Sequence, residues 1–234
     1  MSKHAIVAII GAMEQEIELL KEFMHNPEEE LIGGVKMYFG RLFNRDVVLA
    51  LSGIGKVNAA IATTIVLREY NPDYVINTGS AGGLGKTLRV GDVVVGSLVA
   101  HHDVDVTAFG YQLGQVPKMR PAFECSDQLI RLAEKAASAF ADANVHKGLI
   151  VSGDQFVHSS EKTAYIREHF FGVQVVEMEA AAIAQTCTRF EVPFVVIRAV
   201  SDLADEKADI SFEKFLETAS VQSARMVQKI VSAL

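Results

Sequence analysis

Apolar runs and amphipathic stretches alternate along the whole chain. Ala5–Ile10 is a short run of aliphatic side chains, the pattern of a buried strand. Met13–Met24 then predicts a helix. At about 100° per residue, Met13, Ile17, Leu19, Leu20, Phe23 and Met24 form one apolar arc, opposite Glu14, Glu18, Lys21 and Glu22. Glu16 falls inside the apolar arc. A carboxylate there is costly to ionise unless something pairs with it, which is the setting in which a general base is tuned. The plain alternative is a first-turn acid favoured by the helix dipole.

The alternation continues to the C-terminus. Val35–Leu42 and Asp46–Ser52 predict a hairpin turning at Asn44-Arg45. Helices are expected over Val57–Tyr70, Ser126–Ala143 (capped by Ser126), Lys162–Phe170, Glu179–Phe190 and Ser211–Leu234 (capped by Ser211). Strands are expected over Tyr74–Asn77, Asp92–Val99, Leu149–Ser152, Val173–Glu177 and Phe194–Val200, the last opened by Pro193. No repeat or Pro/Gly-rich linker interrupts the order, so residues 1–234 read as a single α/β domain with helices on both faces of the sheet. The hairpin makes that sheet mixed.

Composition narrows the function. The 234 residues are 50% hydrophobic and carry a net charge of −7. That balance argues against disorder and disfavours a nucleic-acid footprint. Cys125 and Cys187 are the two cysteines, too few for a disulfide framework or a cysteine metal site. Ala5–Ile10 is too short for a signal-peptide core, and acids follow at once. No run approaches the ~18 apolar residues of a membrane span. A cytoplasmic protein without membrane or nucleic-acid partners is expected.

In such sheets ligands sit beyond the carboxyl ends of strands. Three expected strand ends deliver a carboxylate: Glu16, Glu179 and Asp202. A fourth delivers Thr78–Gly83, small residues that let a ligand approach the backbone. Gly53-Ile54-Gly55-Lys56 lacks the upstream glycine of a phosphate loop, and Gly79–Gly85 does not fit a dinucleotide fingerprint. Ser152-Gly153-Asp154 is no nucleophile elbow. His101-His102-Asp103 with Asp105 reads as a strand edge in a fold or subunit contact rather than a metal site. Three convergent carboxylates without a metal or phosphate motif point to glycosidic chemistry. One group activates water, one protonates the leaving group and one holds sugar hydroxyls.

These residues carry a resemblance to a known family. GAMEQE (11–16), SGIGKVNAA (52–60), INTGSAGG (76–83), VGDVVV (90–95), DVDVTAFGY (103–111), GLIVSGDQF (148–156), VEMEAAAIA (176–184) and VPFVVIRAVSDLAD (192–205) span almost the whole chain. The sequence resembles the 5′-methylthioadenosine/S-adenosylhomocysteine nucleosidases of the purine nucleoside phosphorylase-like superfamily. VEMEA followed by RAVSD, with GAMEQE, singles out the nucleosidase branch.

The resemblance implies a three-layer α/β/α sandwich around a mixed, partly barrel-like central sheet, assembled as a homodimer. It implies hydrolysis of the N-glycosidic bond of methylthioadenosine and S-adenosylhomocysteine, and of 5′-deoxyadenosine, in methionine salvage, with no metal or cofactor. Glu16 matches the residue that activates water, and Asp202 the acid that protonates adenine N7. Glu179 matches the residue on the ribose hydroxyls, with Met178 against the sugar. Phe156 matches the aromatic that stacks on adenine, with Val157 beside it. Ser80 and Arg198 match polar residues around the water and the carboxylates. Met13, Ile54, Val106 and Phe212 resemble walls of an apolar pocket for the 5′-alkylthio group. Phe109 and Pro117 match positions that cross a dimer interface into the neighbour's pocket. Gln15, where some relatives carry an acid, and Gln155 depart from the pattern without touching these roles.

Two rivals use the same scaffold. A phosphorylase needs cationic anchors for phosphate, and the first loop offers carboxylates instead. A silent nucleoside-binding protein would lack one of the three carboxylates, and all three are present. The residues do not rank methylthioadenosine, S-adenosylhomocysteine, 5′-deoxyadenosine and futalosine-type nucleosides.

Overall fold

The computed structural model describes residues 5–137 and 143–234. Ten strands and six α-helices follow one another as β1 (Ile6–Gly11), α1 (Glu14–Glu22), β2 (His25–Ile32), β3 (Val35–Leu42), β4 (Arg45–Leu51), α2 (Lys56–Tyr70), β5 (Tyr74–Gly83), β6 (Val93–His101), β7 (Phe123–Glu124), α3 (Asp127–Ala137), β8 (Val145–Ser152), α4 (Ser160–His169), β9 (Val173–Glu177), α5 (Ala180–Arg189), β10 (Phe194–Asp202) and α6 (Ala208–Ala233). A 3₁₀ turn covers Thr107–Phe109.

The sheet is mixed. β1 lies between β4 and β5, parallel to both. β5 then pairs in parallel with β10 and, through Gly82-Gly83, antiparallel with β9. β9, β8, β6 and β10 complete the circuit. Five strands therefore close into a barrel, with the β1–β4 side running out of it as a wing. Helices α1, α3 and α6 pack on one face, and α2 and α5 on the other. The α/β/α layering around a partly barrel-like sheet is thus present. Val7–Ile10 and all of Phe194–Asp202 are buried, the continuous burial of strands covered on both faces.

The structure corrects several boundaries. The hairpin turns at Phe43-Asn44, with Leu42 facing Arg45, because Phe43 takes the left-handed turn conformation (φ 54°). β2 is unforeseen. It is a polar, almost wholly exposed edge strand, and with neither face buried it has no alternation to read. The strand expected to end at Asn77 continues to Gly83. Small residues there permit a strand squeezed between β10 and β9. β10 likewise runs on to Asp202, and β8 starts at Val145 rather than Leu149. Ser211 lies inside α6, where its hydroxyl donates to Ser201 O at 3.1 Å, instead of capping it. Ser159 caps α4, its Oγ accepting from Lys162 N at 3.3 Å. Within the helix expected over Ser126–Ala143, residues 138–142 lie outside the described residues.

Candidate active site

One cavity of about 270 Å³ opens at the ends of β1, β5, β9 and β10. Glu16, Glu179 and Asp202 all line it, with Glu177, Ser80 and Ser201. Its apolar wall comprises Met13, Ile54, Phe156, Val176, Met178 and Phe212, with Ala12, Ala81 and Gly82 as floor. No Lys or Arg is among these lining residues.

Glu16 is the third residue of α1 and is 2% exposed. The helix-start role applies to it directly. Its Oε2 accepts from Ala12 N at 2.8 Å and Met13 N at 3.2 Å, satisfying the start of the helix as an N3 glutamate does. Its Oε1 accepts from Ser80 N at 2.8 Å and Ser80 Oγ at 2.9 Å. Four donors, rather than a bonded cation, offset the burial of this carboxylate. Gly79 makes the approach possible, since a Cβ there would lie 2.7 Å from Glu16 Oε1 and collide with Arg198 Nη1.

Glu179 sits at the turn into α5, 5% exposed. Its Oε1 accepts from Gly55 N at 2.9 Å, and its Oε2 lies 3.5 Å from Arg198 Nη2. Burial, reinforced by the neighbouring Glu177 carboxylate, pushes its affinity for a proton well above the ordinary glutamate value, and Arg198 opposes this only in part.

Glu177 is the group that motif reading passed over. Its Oε2 accepts from Glu179 N at 3.0 Å and Ala180 N at 2.9 Å, and pairs tightly with Arg198 Nη2. Its Oε1 accepts from Ser152 Oγ. The signal was available, since Glu177 ends an apolar strand, but Glu179 two residues on drew the assignment. Arg198 is 1% exposed and stands behind the carboxylates. Its Nη2 also donates to Asn77 Oδ1 at 2.8 Å, and its Nη1 to Ser80 O at 3.2 Å.

Asp202 ends β10, 2% exposed. Its Oδ2 accepts from Ser201 Oγ at 2.8 Å and its Oδ1 from Ala204 N at 2.9 Å. Burial lifts this carboxyl above the usual aspartate range, against the pull of those two donors. Gly82 leaves room for it, a Cβ there falling 3.0 Å from Asp202 Oδ1.

Phe156 and Phe212 meet edge to face at 5.7 Å and form one aromatic side of the cavity. Val157 lines a smaller recess beside Phe156, Met178 and Asp202. Val106, Phe109 and Pro117 are not brought to this cavity. They belong to the connection between β6 and β7, where Phe109 is 82% exposed. In the His101-His102 pair, His101 Nε2 lies 2.9 Å from Gln185 Oε1 and its ring meets Phe123 edge on.

Comparison with known proteins decides the family. The model of the phosphorylase superfamily matches residues 6–232. A curated 5′-methylthioadenosine/S-adenosylhomocysteine nucleosidase from an Exiguobacterium strain is 54% identical over 228 residues, 97% of this chain and 98% of that protein. The chain belongs to the 5′-methylthioadenosine/S-adenosylhomocysteine nucleosidase family. Among solved nucleosidases of this family, the Neisseria meningitidis protein in complex with methylthio-immucillin-A superposes with TM-score 0.97 at 62% identity, covering 98% of this chain and 99% of that one. The Colwellia psychrerythraea nucleosidase in complex with adenine gives TM-score 0.97 at 44% identity, over 99% of this chain and 96% of that one. The futalosine hydrolase of Helicobacter pylori is also similar, with TM-score 0.94 and 37% identity over 98% of both chains. Among the described residues, no helix is long and apolar enough to cross a membrane.

Proposed function

We propose that the cavity binds 5′-methylthioadenosine or S-adenosylhomocysteine and hydrolyses its N-glycosidic bond, releasing adenine and the 5-substituted ribose. The observation that carries this reading is four buried carboxylates, Glu16, Glu177, Glu179 and Asp202, on one largely apolar cavity whose lining holds no cation. Glu16 takes the proton from a water that attacks the anomeric carbon. The C1′–N9 bond breaks with its electron pair moving into adenine, and Asp202 delivers a proton to N7. Glu179 holds the ribose hydroxyls, with Met178 against the sugar. Phe156 stacks on the base, and Val157 closes the recess beside it. Met13, Ile54 and Phe212 take the 5′-alkylthio group. Ser80 orients Glu16, and Arg198 holds the carboxylate pair. The raised proton affinity of Asp202 supports its role as acid, since it must be protonated before it can donate.

The reading includes a homodimer in which Phe109 and Pro117 reach into the neighbour's pocket. The exposed apolar side chains of Val57, Ile61 and Phe109 support it. It also includes a cytoplasmic setting, supported by the free, buried Cys125 and Cys187.

Adenine release from methylthioadenosine, S-adenosylhomocysteine, 5′-deoxyadenosine and a futalosine-type nucleoside, with and without phosphate, tests the chemistry. The expected product is adenine with free sugar, at a rate independent of phosphate. A sugar 1-phosphate formed only with phosphate would replace this reading with phosphorolysis. The resemblance to the futalosine hydrolase keeps that nucleoside in the comparison.

A further inference from the structure

Three loops meet beside the cavity mouth, and a closed circuit of charged groups laces them together. Lys56 Nζ donates to Asp103 Oδ1 at 2.6 Å. Asp154 N donates to Asp103 Oδ2 at 2.9 Å. Lys56 N donates to Asp154 Oδ1 at 2.7 Å. Each of the three residues is therefore bonded to both others, although they come from the start of α2 and the loops after β6 and β8. None of them lines the cavity.

The circuit is anchored on the start of α2, whose first N–H groups have no partner within the helix. Asp154 takes the Lys56 N–H, and Glu179 takes the Gly55 N–H at 2.9 Å. The two carboxylates stand 98 and 124 residues away in sequence, at the positive end of the helix dipole. The loops fit closely. Gly55 has φ 95°, and a Cβ on it would lie 3.2 Å from Asp154 Oδ1; a Cβ on Gly153 would strike the His102 ring and approach Asp103 Cγ to 3.1 Å. Burial pushes the Asp103 carboxyl up, but the Lys56 ammonium and the Asp154 N–H together hold it below the ordinary range. Both side chains are partly shielded from solvent.

We propose that Lys56, Asp103 and Asp154 are positioning residues that hold the Gly55 N–H on Glu179 and so aim the ribose-binding carboxylate. This rests on the reading of Glu179 as the group on the ribose hydroxyls. Opening the circuit frees the glycine-flanked Ile54 loop and removes the donor that orients Glu179 Oε1. A misplacement of about 1 Å at such a group costs up to about 100-fold in rate.

The test is a kinetic cycle on the full-length protein with methylthioadenosine. Lys56→Met and Asp103→Asn are each expected to lower kcat/KM by about 10- to 100-fold, chiefly through KM, and Lys56→Arg to recover most of the loss. In a Glu179→Gln background, Lys56→Met should cost less than about twofold, because residues acting through one group are not additive. Should Lys56→Met fail to fold, Asp154→Ala, which removes the acceptor of the Lys56 N–H, takes its place in the same cycle. Unchanged kcat/KM in these variants would overturn the proposal. So would losses that multiply with that of Glu179→Gln, since a general brace of the fold behaves that way. Wild-type adenine release is the separate control: its absence would strike the nucleosidase reading and not the circuit.

Discussion

Ser80 gives both of its hydrogen-bond donors to a single oxygen, Glu16 Oε1, the backbone N–H at 2.8 Å and the hydroxyl at 2.9 Å. The other oxygen of Glu16 is occupied by the start of its own helix. The carboxylate is therefore locked in one orientation, facing the cavity from the end of β1. Glu16→Gln keeps the shape but loses the base. Turnover should fall by the 10²–10⁴-fold typical of acid–base groups, while nucleoside affinity in a direct binding titration stays close to wild type. Near-wild-type turnover would remove Glu16 from the chemistry.

Ser80→Ala deletes the hydroxyl donor and leaves the N–H in place. A hydrogen bond to a charged group contributes about 1.5–3 kcal/mol to stability, so the thermal midpoint should fall by several degrees, and kcat should fall with it because Glu16 is held less firmly.

Asp202 carries the pH dependence of leaving-group protonation. Its raised proton affinity keeps it protonated to higher pH than an ordinary aspartate. Activity should fall as pH rises through its folded value. Asp202→Asn should lower kcat and flatten that alkaline limb, which a pH–rate profile of adenine release will show. A limb that persists in the variant would assign it to another group.

Glu179 has a consequence for stability as well as for binding. Burial beside Glu177 raises its proton affinity in the folded state from the ordinary value of 4.5 to about 8. A group raised in this way stabilises the fold below its unfolded value and withdraws that contribution as pH rises through the folded one. Across roughly pH 4.5 to 8, wild type should therefore lose stability relative to Glu179→Gln. Thermal midpoints of both proteins measured across that range check the sign, and a constant difference would contradict it.

Arg198 holds two buried carboxylates, Glu177 and Glu179, at the back of the site. Removing one side of a buried ion pair costs about 3–5 kcal/mol. Arg198→Met should destabilise the protein on that scale in denaturant unfolding, and a Glu177→Gln change in the same chain should recover part of the loss. Additive losses in the two variants would show that the pair is not coupled.

Much of the fold follows from the hydrophobic pattern alone: the strand–helix alternation, a mixed sheet covered on both sides, and a carboxylate on the apolar arc of α1. Chain order and strand ends also singled out Glu16, Glu179 and Asp202, because residues that follow buried strands are constrained to one edge of the sheet. Their partners were not legible in the pattern, and only the family resemblance pointed to Ser80 and Arg198. Ser80 lies 64 residues from Glu16, and Arg198 lies 21 from Glu177. Periodicity reports which face of an element is buried but not what meets it there. The Thr78–Gly83 stretch resembles a turn, since small residues are turn formers. Only the flanking β9 and β10 make it a strand, by supplying the ladder partners that close the barrel. The exposed β2 escaped detection because a strand with no buried face has no pattern to show. Sequence determined which side chains must leave water and in what order they reach the sheet edge. Tertiary structure decided which donors and charges they find on arrival, because those contacts are set by long-range packing rather than by neighbours along the chain.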